Sequence, residues 1–133
     1  MILVDSSVWI DFFNGVPTPE TDRLDALLGQ DAVATGDLIL VEVLQGIRND
    51  SDFRAVKRAL SEFPSFDLLG RERAARVAMR YRRLRRNGVT IRKTVDVVIA
   101  SFCVDEGIRL LFSDRDFLPM VKYLGLKPAV YLH

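Results

Sequence analysis

With 133 residues, the chain has the length of one ordinary domain and can bury a real core. An apolar fraction of 49% beside 28% charged residues excludes a disordered chain, and a net charge of +1 excludes a whole-molecule field that draws it to nucleic acid. One cysteine, Cys103, excludes an internal disulfide and a multi-cysteine zinc site. One histidine, His133 at the last position, leaves histidine-based catalysis resting on a chain end.

The opening Ile2-Leu3-Val4 is a short apolar run that stops at Asp5-Ser6-Ser7, as expected of a parallel strand covered on both faces. No basic leader or long apolar stretch stands before or within it, so the expectation is a cytoplasmic protein with no membrane span. A helix follows over Val8 to Phe13, closed by Asn14-Gly15-Val16-Pro17, and a second over Pro19 to Leu28. Ala32-Val33-Ala34 reads as a second strand. Asp37 to Ile47 reads as a helix capped by Asp37 and apolar nearly all round. Ser51 to Phe63 is amphipathic, with Phe53, Val56, Leu60 and Phe63 inward, and Pro64 closes it before a third strand near Phe66 to Leu69.

Arg71 to Arg86 is a long basic helix stopped by Asn87-Gly88, and Thr94 caps the next, which runs to Glu106-Gly107. Its apolar run packs Cys103 as a core thiol. Leu110 to Phe112 is a strand, Asp116 to Tyr123 a short helix and Ala129 to Leu132 a last strand. Strands alternating with helices predict one α/β domain over residues 1–133, a central mostly parallel sheet flanked by α-helices.

Four acids stand where chemistry explains more than packing. Asp5 directly follows a strand and Asp114 follows another after Ser113, on the edge where open α/β sheets place ligands. Their plain alternatives are an N-cap and a turn residue. Asp96 lies in the first turn of an apolar helix, where the helix dipole also favours it. Glu42 sits inside Leu38-Ile39-Leu40-Val41-Glu42-Val43-Leu44, and a buried glutamate needs an arginine, a proton or a metal. Two carboxylates about 5 Å apart repel by roughly 3 kcal/mol at an effective dielectric near 20. A hard divalent cation removes that repulsion, and all-oxygen ligation without histidine or cysteine points to Mg²⁺ or Mn²⁺.

These segments, in order and across essentially the whole chain, resemble the four acidic motifs of PIN domains, especially VapC-type toxins of bacterial toxin–antitoxin pairs. They are the strand ending in Asp5-Ser6-Ser7-Val8-Trp9, then Glu42-Val43-Leu44-Gln45-Gly46, Asp96-Val97-Val98-Ile99-Ala100 and Ser113-Asp114-Arg115-Asp116-Phe117. The resemblance implies a metal-dependent endoribonuclease that slows translation. It implies metal-site roles for Asp5, Glu42, Asp96 and Asp114, an accessory acid in Asp116 and an orienting role for Ser7. It also implies a cognate antitoxin that inserts a basic side chain near the acids, a homodimer, and promoter DNA bound only through the antitoxin complex. On that basis Asp5, Asp96 and Asp114 are expected to hold Mg²⁺ and Glu42 to position a second ion or the attacking water. With no histidine but the terminal His133 to act as acid or base, hydrolysis by water suits the chain better than 2′-hydroxyl attack.

An acidic site repels RNA unless basic flanks offset it. Arg82 and Arg83 belong to the arginine-rich helix, Arg92 and Lys93 directly precede the Asp96 helix, and Arg115 lies between two acids. These five are the expected RNA contacts, against the alternative of a solvated face or arginines paired with acids. Trp9, Phe12 and Phe13 are expected to pack in the core rather than to bind a partner. A haloacid-dehalogenase phosphatase would need an acid at Ser7, and a receiver domain needs an acidic pair and a late lysine that are not evident. A non-catalytic RNA-binding subunit with a structural metal is the rival of another class.

Overall fold

The computed structural model describes residues 1–129. Strand β1 (Ile2–Val4) lies between β2 (Val33–Gly36) and β4 (Arg109–Leu111), with the two-residue β3 (Ser65–Phe66) at the far edge. The order is β3-β2-β1-β4 and every pairing is parallel. Leu3, Val4, Ala34, Leu110 and Leu111 are wholly buried, which is why these strands read as unbroken apolar runs.

Helices α1 (Ser6–Phe13) and α2 (Pro19–Leu27) link β1 to β2, and α3 (Asp37–Gln45) and α4 (Asp50–Leu60) link β2 to β3. Both crossovers step the same way along the sheet. The return from β3 to β4, through α5 (Gly70–Arg86) and α6 (Thr94–Glu106), steps the opposite way. Right-handed crossovers therefore put α1 to α4 on one face and α5 and α6 on the other. A 3₁₀ turn (Arg115–Phe117) and α7 (Leu118–Leu124) follow β4 and pack with α5 and α6. The chain thus leaves the neighbouring strands β1 and β4 toward opposite faces. Their carboxyl ends open a crevice at the switch point of the sheet.

Local chemistry accounts for the helix starts. Thr18 and Thr21 exchange side-chain-to-backbone hydrogen bonds at 2.9 and 3.0 Å, and Asn49 Oδ1 accepts from the N–H groups of Ser51 and Asp52. Trp9 is buried and stacks on Phe13 with ring centroids 5.8 Å apart, while Phe63 packs at 5.3 Å, so the aromatic cluster is core. Cys103 is buried too, its thiol pushed up to about 12 by burial. No helix of the described residues is long and apolar enough to cross a membrane.

Several boundaries differ from expectation. Helix α1 begins at Ser6 because Asp5 caps it, its carboxylate accepting from the Ser7 N–H. Gly36, not Asp37, is the N-cap of α3; Asp37 Oδ1 instead accepts from the Leu38 and Leu68 N–H groups and ties down the segment after β3. Lys93, not Thr94, caps α6, and no side chain bonds there. Helix α3 is not buried all round: Ile39 and Val43 face inward, while Val41 is 56% exposed. Helix α4 stops at Leu60, three residues before Phe63. The expected last strand, Ala129 to Leu132, falls outside the described residues from position 130 on; Pro128 makes an isolated parallel bridge to Leu110.

Candidate metal centre

The crevice at the switch point collects the acids from four places in the chain. Register pairs Val4 with Leu111, so Asp5 and the Ser113-Asp114 segment leave adjacent strands side by side. Asp96 reaches the crevice from the first turn of α6, Glu42 from α3, and Asp116 from the 3₁₀ turn after Asp114.

The carboxylates of Asp5, Glu42 and Asp114 are held by hydrogen bonds. Ser7 donates from its hydroxyl to Asp5 Oδ2 at 2.6 Å and from its N–H to the same oxygen at 3.1 Å. The Ser7 hydroxyl in turn accepts from the Ser113 N–H at 3.4 Å, joining the start of α1 to the end of β4. Ser6 donates to Glu42 Oε1 at 3.2 Å, and the Asp116 N–H donates to Asp114 Oδ1 at 2.9 Å.

Asp96, Asp114 and Asp116 each bring a carboxylate oxygen within 4.8 Å of the other two. Asp116, expected only as an accessory, thus joins the tightest group, while Asp5 and Glu42 stand beside it. Lys93 Nζ projects among the acids, 3.7 Å from Asp96 Oδ1, 3.7 Å from Asp114 Oδ2 and 3.9 Å from Glu42 Oε2. Sequence reasoning puts Lys93 on the RNA side by its position before the Asp96 helix, and nothing in the sequence shows that its stem folds back over the acids. The same reasoning misses Ser6, the partner of Glu42, whose only signal is adjacency to Ser7.

Burial and mutual repulsion show in the proton affinities. Burial raises the Asp96 carboxyl to about 7, opposed by Lys93 and reinforced by Asp5, Asp114 and Glu42. Burial also raises Asp5, against the lowering effect of its Ser7 hydrogen bonds and with a further push from Glu42. Partial burial would lower the Lys93 ammonium, but Asp96, Glu42, Asp114 and Asp5 outweigh it and hold it charged.

A divalent cation fits these residues. Asp96 Oδ1 is buried and has no hydrogen-bond partner among the described residues, an arrangement that costs free energy unless a cation faces it. Among the described residues the cation facing it is Lys93, which stays beyond hydrogen-bond reach. The donor set is all carboxylate oxygen, the chemistry of Mg²⁺ or Mn²⁺ rather than of zinc.

Among the described residues, the arginine-rich helix divides into a paired half and a free one. Arg73, Arg76 and Arg80 of α5 converge on Asp105 of α6 at 3.0, 3.1 and 2.6 Å, and Arg73 also reaches Glu106 at 2.9 Å. That half of the helix is pinned to its neighbour. Arg82 and Arg83 remain exposed and, with Arg76, Arg80, Arg86 and Met79, line a shallow surface groove. Arg92 and Arg115 are exposed as well, and Arg115 makes no ion pair among the described residues.

An all-parallel α/β sheet with carboxylates collected at its switch point defines the class of an α/β domain with an acidic crevice. The chain belongs to the PIN domain family, whose pattern it matches over residues 2–121. Over 133 residues it is 28% identical to VapC ribonuclease Mb1587 of Mycobacterium bovis, covering 98% of this chain and 99% of that one. It is equally similar, 28% over 133 residues with the same coverage, to ribonuclease VapC11 of Mycobacterium tuberculosis. Among solved structures it resembles VapBC2 from Rickettsia felis bound to a DNA fragment from their promoter, with a TM-score of 0.78 at 17% identity over 98% of this chain and 99% of that one. It also resembles the sarcin-ricin loop cleaving toxin VapC20 of Mycobacterium tuberculosis, with a TM-score of 0.64 at 18% identity over 96% of this chain and 100% of that one. At those identities the two structures speak to the fold.

Proposed function

We propose that this chain is the ribonuclease toxin of a VapC-type toxin–antitoxin pair, acting in the cytoplasm as a divalent-metal-dependent endoribonuclease that inhibits translation. The observation that carries the reading is the buried, unpartnered Asp96 Oδ1 facing a crevice that it shares with Asp114 and Asp116, in a PIN fold. The full-length similarity to proteins named VapC ribonucleases supports it.

Asp96, Asp114 and Asp116 would hold Mg²⁺, or Mn²⁺ in its place, with Asp5 completing the set on the β1 side. When bound, such an ion supplies Lewis acidity to a phosphodiester oxygen and lowers the pKa of water. Ser7 fixes the rotamer of Asp5 through two hydrogen bonds to one oxygen, so the carboxylate is oriented before any ligand arrives. Glu42, steadied by Ser6, would orient the attacking water or position a second ion. Arg82, Arg83, Arg92, Lys93 and Arg115 supply the positive charge that offsets the acids toward an RNA backbone. A cognate antitoxin neutralises the site, the toxin forms a homodimer, and promoter DNA is bound only through the complex with antitoxin.

Brief expression of the chain without an antitoxin, followed by sequencing of cellular RNA ends, tests the whole reading. Growth should arrest and new 5′-phosphate ends should accumulate at defined sites. Normal growth with an unchanged set of RNA ends, the protein being soluble and present, would exclude the assignment.

A further inference from the structure

Lys93 is poorly explained as a structural ion-pair partner. Its ammonium faces three carboxylates at 3.7, 3.7 and 3.9 Å and reaches none of them at hydrogen-bond distance. A lysine built as a permanent counter-ion closes to roughly 2.7–2.9 Å on at least one acceptor. Here the ammonium hangs in the middle of the field instead, held by Coulomb attraction alone. Its side chain is 47% exposed, so its way out to water is open. Its backbone is fixed as the N-cap of α6, the Lys93 C=O accepting from the Asp96 N–H at 3.2 Å. The stem can therefore swing while its root stays put.

We propose that Lys93 is a tethered stand-in for the divalent cation: its ammonium neutralises the carboxylates in the metal-free protein and is displaced to the rim when the ion binds. This rests on the reading of the acids as a metal centre. The two cations exclude one another for a simple reason. The orphaned Asp96 Oδ1 that a divalent ion would ligate is the oxygen that Lys93 faces. A single positive charge cannot balance Asp96, Asp114 and Glu42, so a doubly charged ion gains more from the same oxygens. Lys93 then sets a threshold for metal uptake, because the crevice must be vacated before it is filled. Once displaced, the ammonium remains within a side chain's length of the crevice, where an RNA phosphate would lie.

Mn²⁺ titration of the full-length protein tests this, using wild type, Lys93→Met and Asp96→Asn, with thermal melts of EDTA-treated samples alongside. Methionine keeps much of the apolar stem and removes the charge. If Lys93 fills the crevice about nine-tenths of the time, Lys93→Met should bind Mn²⁺ on the order of tenfold more tightly than wild type. Metal-free Lys93→Met should melt below wild type, and the difference should close at saturating Mn²⁺. Wild type that binds Mn²⁺ with an affinity equal to or tighter than that of Lys93→Met would overturn the inference while leaving the metal centre standing. No Mn²⁺ binding by wild type, or undiminished binding by Asp96→Asn, would overturn the metal centre itself. Should the methionine variant not fold, the Lys93 side-chain carbon resonances of wild type decide the matter. They should move on saturation with Mg²⁺, and resonances that stay fixed contradict displacement.

Discussion

The hydroxyl of Ser7 donates to Asp5 Oδ2 at 2.6 Å while accepting from the Ser113 N–H at 3.4 Å, so one side chain links the end of β1, the start of α1 and the exit of β4. Removing it frees the rotamer of a buried carboxylate. It also leaves Asp5 with one side-chain donor fewer against a burial that already raises its pKa. Ser7→Ala should therefore lower metal affinity or cleavage by about 10–100-fold, the usual effect of losing a partner that orients a ligand. Its stability should fall by only about 1 kcal/mol. Parallel calorimetric metal titrations and thermal melts check this, and a variant with wild-type metal affinity and cleavage would remove Ser7 from the site.

The metal-free protein should lose stability as pH rises from about 4 to about 7. The Asp96 carboxyl titrates near 7 in the fold against an ordinary value of 3.8, mainly through burial. Below the lower value both folded and unfolded chains carry the proton. Between the two values only the folded chain keeps it, so its contribution is lost as pH climbs through the folded pKa. Asp105 acts in the opposite sense. Its hydrogen bond from Arg80, with those of Arg73 and Arg76, lowers it to about 2, a contribution present above its ordinary value and lost on acidification. Melts in EDTA should peak in mildly acidic buffer and decline toward neutrality, and Mg²⁺ should reverse the decline. A melting temperature that rises steadily to pH about 8 without metal would contradict the assigned charge state of Asp96.

The division of the basic helix has a simple consequence. Arg82→Glu with Arg83→Glu should weaken RNA binding and reduce the slope of log affinity against log salt by about 1 for each phosphate that is no longer neutralised. Arg80→Ala should leave that slope alone and cost roughly 0.5–1 kcal/mol of stability, since its guanidinium is engaged with Asp105. Filter binding at several salt concentrations separates the two. Identical slopes for the double reversal and wild type would mean a merely solvated face.

Gly36 is a packing constraint beneath the site. A Cβ there would stand 2.5 to 2.8 Å from the Leu68 side chain, and Leu68 is wholly buried. Gly36→Ala should cost about 1–3 kcal/mol by overpacking. It should also disturb the start of α3, from which Glu42 projects. Denaturant melts measure the cost, and an unchanged midpoint would show that Leu68 yields freely.

Much of this architecture is legible because strands buried on both faces leave unbroken apolar runs, as at Ile2-Leu3-Val4 and Leu110-Leu111. Asp5 and Asp114 can be placed from that alone, since parallel neighbours end on one edge. Helix starts are less legible at Gly36 and Lys93, where no side chain caps the helix and the nearest capping type, Asp37 or Thr94, is the natural wrong choice. The depth of α3 is overstated by its composition, which cannot reveal that Val41 faces out. The placing of Asp116 in the tightest group depends on the 3₁₀ turn that its own N–H closes onto Asp114. The pairing of Arg73, Arg76 and Arg80 with Asp105 depends on how α5 lies along α6. Neither arrangement has a period that a sequence can show.

Cleavage of a structured RNA by the purified, antitoxin-free protein tests the central claim most directly, with Mg²⁺ or Mn²⁺, with EDTA, and with Asp96→Asn. Wild type should cut only with the metal and stop on chelation, leaving 5′-phosphate and 3′-hydroxyl ends. Asp96→Asn should fold normally and cut on the order of a hundredfold more slowly or worse, as expected when a transition-state charge loses its stabilising partner. Cleavage that persists in EDTA, or full activity in Asp96→Asn, would contradict a metal-centred carboxylate site.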